Sequence, residues 1–177
     1  PGAPADSEWK AVLAAFDESL GSCFRHQIHP GYKSSRALPD AALAFQLAAC
    51  RELTGLLGIA GVASASYEAD DLIASAAAAA RARGDCAVVL SRDKDLGQVL
   101  AGEHDRLWDF PAAAPLDRDG FSARHGIRPA QLPDLLALCG DPVDDVPGVP
   151  GIGEKTAVSL LQDYADVEAL LGALDAV

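Results

Sequence analysis

The sequence predicts an α/β fold, with a parallel sheet and flanking helices over residues 1–116 and an all-helical portion over residues 117–177. Three observations predict it. Short apolar runs alternate with helix-length stretches in the first part, the order expected of a parallel layer. From Asp117 the character changes to short helical segments joined by Pro and Gly turns. Half of the 177 residues are hydrophobic, enough for one packed domain with a helical appendage.

The elements follow in order. Pro1–Glu8 is a polar start with two prolines, and Ala11–Phe16 is an apolar run closed by Asp17, a buried strand. Ser22–Arg36 mixes Arg, His, Tyr, Lys and Gly without periodicity and reads as loop or short helix. In Pro39–Gly58, Leu43, Leu47, Cys50, Leu53 and Leu57 fall near one helical face, and the segment ends at a glycine. Ile59–Ala63 is a second strand, and Glu68–Arg83 an Ala-rich helix stopped by Gly84. Cys86–Leu90 is bounded by polar residues and contains two valines, a third strand. Asp93–Leu100 suits a short helix and Arg106–Phe110 a fourth strand. Helices are then expected around Asp119–His125, Ala130–Cys139, Glu154–Tyr164 and Val167–Leu174, packed against the edge of the sheet.

Composition excludes some functions. Fourteen Lys+Arg stand against 26 Asp+Glu, a formal net charge of −12. A generic polyanion binder presents a basic surface, so nucleic acid is admissible only if the acids are gathered on cations and the few basic groups are locally placed. The four cysteines, Cys23, Cys50, Cys86 and Cys139, have no zinc-like spacing. Cys50, Cys86 and Cys139 lie in apolar runs and read as small core residues, which fits a reducing cytoplasm. No apolar stretch reads as a membrane span or a signal peptide.

The acids are placed where chemistry would want them. Asp17 ends the first strand; Glu68, Asp70 and Asp71 open a helix; Asp93 and Asp95 follow the third strand; Asp141, Asp144 and Asp145 lie in a turn after a helix. Singly, each has a structural account. Acids in a first helical turn offset the macrodipole by roughly 0.3–1 kcal/mol. Asp93 can be an N-cap, and the Asp141 segment a polar turn. Together they are harder to dismiss, because ligands gather beyond the carboxyl ends of parallel strands. Carboxylates about 4 Å apart repel by roughly 1 kcal/mol even in water. Convergent acids therefore imply cations, and with no His or Cys among them the cations are hard ones, Mg²⁺ or Mn²⁺. Two such ions would suit phosphodiester hydrolysis.

Two further segments point to phosphate. Gly148, Gly151 and Gly153 precede Lys155, Thr156 and a periodic helix; glycines admit close backbone approach, and helix N-terminal amides favour phosphate. It is not a Walker loop, since Glu154 separates Gly153 from Lys155, and a plain helix–turn–helix connection would look the same. The segment Phe24–Arg36 mixes aromatics with Arg25, Lys33 and Arg36, read either as recruited for a nucleic-acid strand or as solvated surface charge. The four histidines are isolated and receive no catalytic role.

FDESLGSCFRHQIHPGYKSSR, YEADDLIA, LSRDKDLGQVL and GIRPAQLPDLLALCGDPVDDVPGVPGIGEKTAVSLL together resemble the bacterial and phage 5′–3′ exonuclease/flap endonuclease family, to which the nuclease domain of DNA polymerase I belongs. The likeness runs from about Val12 to Leu171. It implies a PIN-like parallel sheet followed by a helix–three-turn–helix module. The resemblance further implies that Asp17, Glu68, Asp70, Asp71, Asp93, Asp95, Asp141 and Asp144 hold Mg²⁺ or Mn²⁺ in a monomeric bacterial cytoplasmic enzyme, associated with the nucleoid. Lys33 and Arg36 would steer the scissile phosphate, and Arg25 would join them on DNA bearing a 5′ flap, a nick or a single-stranded 5′ end. Gly148–Thr156 would grip duplex backbone, with K⁺ at the turn. Asp145 stands where relatives often have Asn and is assigned no metal. The family opens with a strand ending in Asp, which Pro1–Lys10 do not supply, so a longer natural protein is expected. The alternatives are a DNA-binding module without hydrolysis and a PIN-like ribonuclease, the second disfavoured by the glycine turn.

Overall fold

The structure is a computed structural model that describes residues 9–111 and 113–174. The Pro1–Glu8 start, and with it most of the search for an opening strand, lies outside the described residues. The chain divides into two compact units, one ending at Ala76 and the other beginning at Ala77.

In the first unit, β1 (Leu13–Asp17) pairs in parallel with β2 (Ala60–Ser64), Asp17 standing opposite Ser64 at their carboxyl ends. Between them lie α1 (Arg25–Ile28) and α2 (Ala41–Leu56), which is capped by the Asp40 carboxylate on the Leu43 amide at 2.8 Å. The α2 helix forms where its periodicity predicts, yet none of its residues is buried, and Leu43, Leu47, Leu53 and Leu57 are all exposed. Two strands offer too little surface to cover four helical turns. Among the described residues, the buried groups of this unit are Ser19, Cys23, Tyr32 and Glu68.

From Glu68 the chain enters α3 (Ala69–Ala82). In the second unit, β3 (Val88–Leu90) pairs in parallel with β4 (Arg106–Trp108), so the four strands among the described residues form two parallel pairs. A 3₁₀ helix over Lys94–Val99 joins them. Buried Asp105 fixes this joint, its carboxylate accepting from the Gly102 amide at 2.7 Å, the Ala87 amide at 2.8 Å and Arg81 at 2.9 Å. The helices α4 (Arg118–His125), α5 (Leu132–Cys139), α6 (Glu154–Asp163) and α7 (Val167–Leu174) follow. Here lies most of the core: Leu96, Val99 and Leu100 of the 3₁₀ segment, Phe121 of α4, Leu132, Leu135 and Leu138 of α5, and Ala157 and Leu161 of α6. Buried Gln131 joins the end of α6 to the segment before α5, donating to the Leu161 carbonyl at 2.7 Å and accepting from the Arg128 amide at 3.0 Å.

Two corrections to the sequence reading concern cysteines. Cys50 and Cys86 are exposed rather than core residues, whereas Cys23, in the irregular basic segment, is buried. Cys50 sits on the uncovered helix α2, and Cys86 precedes the first hydrogen-bonded residue of β3. Among the described residues no helix is long and apolar enough to cross a membrane.

Candidate metal centre and nucleic-acid interface

In the first unit the basic segment and the helix-opening acids meet. Arg25 donates to both oxygens of Asp71, at 2.7 and 2.8 Å, and lies 3.2 Å from a Glu68 oxygen. Tyr32 donates its hydroxyl to Glu68 at 2.7 Å, and the Lys33 ammonium pairs with the other Glu68 oxygen. Lys33 has a left-handed backbone (φ 52°), a conformation that costs a residue with a Cβ about 1–2 kcal/mol. The Arg25 guanidinium holds the Asp71 carboxyl below its ordinary value against the opposing effect of burial, and the pair raises the Arg25 pKa in return. Arg25, which the sequence places on nucleic acid, thus stands on two acids of its own chain. Asp17 is exposed at the end of β1 and accepts from the Ser19 amide and hydroxyl, at 3.0 and 2.9 Å. Asp70 lies exposed in the first turn of α3, and Arg36 on the exposed surface.

The second unit holds the other acids. Asp93 caps the 3₁₀ helix, accepting from the Asp95 amide at 2.9 Å, so its structural account is correct as well. Asp95 has an oxygen, Oδ1, that is buried without a hydrogen-bond partner. Burial pushes its carboxyl above the ordinary value; Asp93 adds to the shift, Lys94 opposes it, and Asp141 and Asp144 contribute further. The Asp141 loop is closed by an antiparallel bridge, the Asp141 amide donating to the Val146 carbonyl at 2.8 Å and the reverse bond measuring 2.9 Å. Asp141 also accepts from the Val143 amide at 2.9 Å.

Among the described residues no group of three or more His, Cys, Asp or Glu side chains is placed to hold an ion. Like charges spread, and these acids turn to the donors nearest them: Ser19 for Asp17, Arg25 and Lys33 for the helix-opening pair, backbone amides for Asp93 and Asp141. The chemistry of the second group still fits a hard cation. It offers only oxygen donors, and Asp95 combines an unpartnered buried oxygen with the field of three further carboxylates.

The glycine turn divides into two roles. A Cβ on Gly148 would meet the Gly140 nitrogen at 2.4 Å, and one on Gly140 would meet the Gly148 nitrogen at 2.5 Å, so these two glycines let the backbone cross itself. Gly151, with φ +84°, and Gly153, the residue before α6, have open space around them, and Lys155 and Thr156 are exposed in the first turn of α6. This half of the turn is the one free to approach a ligand.

Sequence reasoning misses Tyr32, whose hydroxyl helps hold Glu68, and Gly140 and Gly97. A Cβ on Gly97 would lie 2.1 Å from the buried Phe121 ring, so only glycine lets the segment carrying Asp93 and Asp95 lie on α4. Gly97 within DKDLGQ was the available signal, a glycine inside an otherwise helical stretch.

Two family models match the chain: 5′-3′ exonuclease, N-terminal resolvase-like domain, over residues 4–126, and 5′-3′ exonuclease, C-terminal SAM fold, over residues 127–177. The thermostable DNA polymerase I of Thermus aquaticus is 42% identical over 166 residues, 93% of this chain and 20% of that protein. The chain spans about a fifth of the length of the curated relatives it matches. T5 5′-exonuclease with bound zinc superposes with a TM-score of 0.75 over 93% of this chain and 63% of that one, at 22% identity. The bacteriophage T5 flap endonuclease in a pseudo-enzyme-product complex with DNA and metal ions gives 0.73 over 92% and 62%, also at 22%. At that identity the likeness is one of fold.

Proposed function

Because this chain belongs to the 5′-3′ exonuclease family, carrying both its resolvase-like domain and its SAM fold, we propose that it is a structure-specific 5′ nuclease. Its substrate is duplex DNA with a 5′ flap, a nick or a single-stranded 5′ end, in replication and repair. The observation that carries this reading is Asp95, with a buried, unpartnered oxygen in the field of Asp93, Asp141 and Asp144. These four residues would hold Mg²⁺ or Mn²⁺ in the second unit, and Asp17, Glu68, Asp70 and Asp71 supply the acids of the first. Bound there, two hard divalent ions would supply an activated water and stabilisation of the leaving oxygen.

The chain's own residues do the rest. Lys33 and Arg36 offset the charge that develops on the scissile phosphate, and Tyr32 fixes Glu68 so that Lys33 is held beside it. Arg25 serves first to fix Asp71 and Glu68, and DNA contact is its second use. Gly151, Gly153, Lys155 and Thr156 grip duplex backbone through amides and one cation, with K⁺ at the turn, while Gly148 shapes the loop before it. We place the working division at residue 116/117, the helical part supplying the duplex grip together with Asp141 and Asp144 and the α/β part the remaining acids, and the protein works as a monomer in the bacterial cytoplasm at the nucleoid.

The test is cleavage of a 5′-flap substrate in Mg²⁺. Asp93→Asn is expected to lose about 100-fold or more in rate, as removal of a metal ligand should, while its affinity for the substrate stays. Cleavage at the parental rate would overturn the metal assignment. The competing reading, DNA binding without hydrolysis, draws on the Arg25 clamp that occupies both Asp71 oxygens. It requires that the parental chain fail to cut flaps in Mn²⁺ as well.

A further inference from the structure

Beside the acids of the second unit lies a cleft of about 170 Å³ that the proposed reaction does not use. Arg92, Lys94, Arg124 and His125 line it, against the two carboxylates of Asp93 and Asp109. Arg92 stands 3.4 Å from Asp109, so that pair is internally balanced. Lys94 and Arg124 have no ion-pair partner among the described residues. In a chain of net charge −12, two unpaired cations and an imidazole on one small concavity are a local reversal of sign.

The shape matches the charge. Leu107, Leu116 and Phe121 form the apolar wall, and His125 is fixed by stacking on Phe121 at 4.4 Å between ring centroids. Pockets for drug-sized molecules run to roughly 300–1,000 Å³. This cleft is smaller, of a size for a phosphate and part of a sugar. The field agrees: burial, then Arg124 and Lys94, hold the His125 imidazole below its ordinary value, and Glu154 opposes them.

We propose that this cleft is a phosphate subsite that takes the phosphate of a nucleotide, with Lys94 and Arg124 as its charged ligands and the apolar wall against the sugar. The proposal rests on the nuclease reading for its biological setting, since Asp93 both lines the cleft and belongs to the proposed ion-holding group. It places a phosphate next to the acids without asking any covalent step of the cleft.

Binding is measured without turnover, in chelator, by the His125 ring signals in an NMR titration of the full chain. Thymidine 5′-monophosphate is expected to shift them saturably, and thymidine not. Arg124→Gln is expected to weaken the monophosphate about ten-fold or more, as loss of a charge-assisted hydrogen bond does. Arg124 is exposed, so its variant keeps the fold, and Arg83→Gln, also exposed, controls for net charge. A dinucleotide diester without a terminal phosphate identifies the source. Shifts with both ligands assign the subsite to a strand, and shifts with the monophosphate alone assign it to a terminal phosphate. Equal shifts with thymidine, no shifts at all, or equal weakening by Arg83→Gln would overturn it. Flap cleavage is assayed separately: a chain that cuts but does not bind the monophosphate refutes only the subsite, and one that binds but does not cut refutes only the nuclease.

Discussion

Asp95 is held in a place that disfavours its charge, since burial and neighbouring carboxylates push its carboxyl up. A charged form disfavoured by the fold is a loss of stability above the folded pKa. Asp95→Asn should therefore melt higher than the parent in chelator, by a few degrees, and should lose the further rise that Mg²⁺ gives the parent. A thermal melt with and without Mg²⁺ reads both, and a lower melting point in chelator would contradict the electrostatics. Arg25 is the opposite case. Its pairing keeps the Asp71 carboxyl below the ordinary 3.8, so the stabilisation is fully present above that pH and lost as pH falls through the lower folded value. Arg25→Gln should cost about 1 kcal/mol near neutral pH, the low end for a charged bidentate pair because both side chains meet solvent. It should also flatten the fall of stability below pH 3.8. Urea titrations across pH measure this, and an unchanged acid slope would refute it. Asp93, Asp95, Glu68 and Asp71 are legible in the sequence because residue type and position after a strand or at a helix start are local. Their partners are not, because Arg25 and Asp71 are 46 residues apart and only the fold brings them together.

Glycines decide what the elements can do. The 3₁₀ segment over Lys94–Val99 lies on α4 only because Gly97 has no side chain to meet Phe121, which is 1% exposed and cannot retreat. Gly97→Ala should cost about 1–3 kcal/mol, the usual range for overpacking a filled core, and calorimetry would show it. In the turn, Gly148→Ala should destabilise by a similar amount or more, because the obstacle is backbone. Gly153→Ala, with open space around it, should leave stability within about 0.5–1 kcal/mol of the parent and weaken duplex binding instead. If both variants affected only DNA affinity, the division of the turn would fail. Sequence patterning locates the helices and strands other than α1 to within a few residues, since alternation and capping residues such as Asp40, Asp93 and Asp117 are local signals. Periodicity does not say whether an apolar face finds a cover. Leu43, Leu47, Leu53 and Leu57 align as expected and remain exposed.

Across the whole molecule the two units are unequally filled. Among the described residues, the buried apolar side chains of the second unit come chiefly from α3, β3, the 3₁₀ segment, β4, α4, α5 and α6, whereas the first unit buries only Cys23 and Tyr32 among its hydrophobic residues. Opening free energy follows buried contact, so native-state hydrogen exchange should be fastest in α2 and slowest in α5 and α6, by about ten-fold or more. Slower exchange in α2 than in α6 would contradict that order. The acidic total of the chain was legible from composition, and so was the need for cations to reconcile it with a nucleic-acid partner. The local reversal of sign around Arg124 was not, because Arg124 lies 30 residues beyond Lys94 and only folding brings it to Arg92 and Lys94.

The crossing of Gly140 and Gly148 carries one more consequence. Where a chain passes over itself at atomic contact, the residues between form an eyelet of fixed circumference, much as a crosslink would make one. Asp141 and Asp144 are mounted on that ring, so their separation is set by chain length rather than by side-chain choice. Lengthening the ring by a single residue has no slack to absorb it. Substitutions at Val143 should thus be far better tolerated than any insertion beside it.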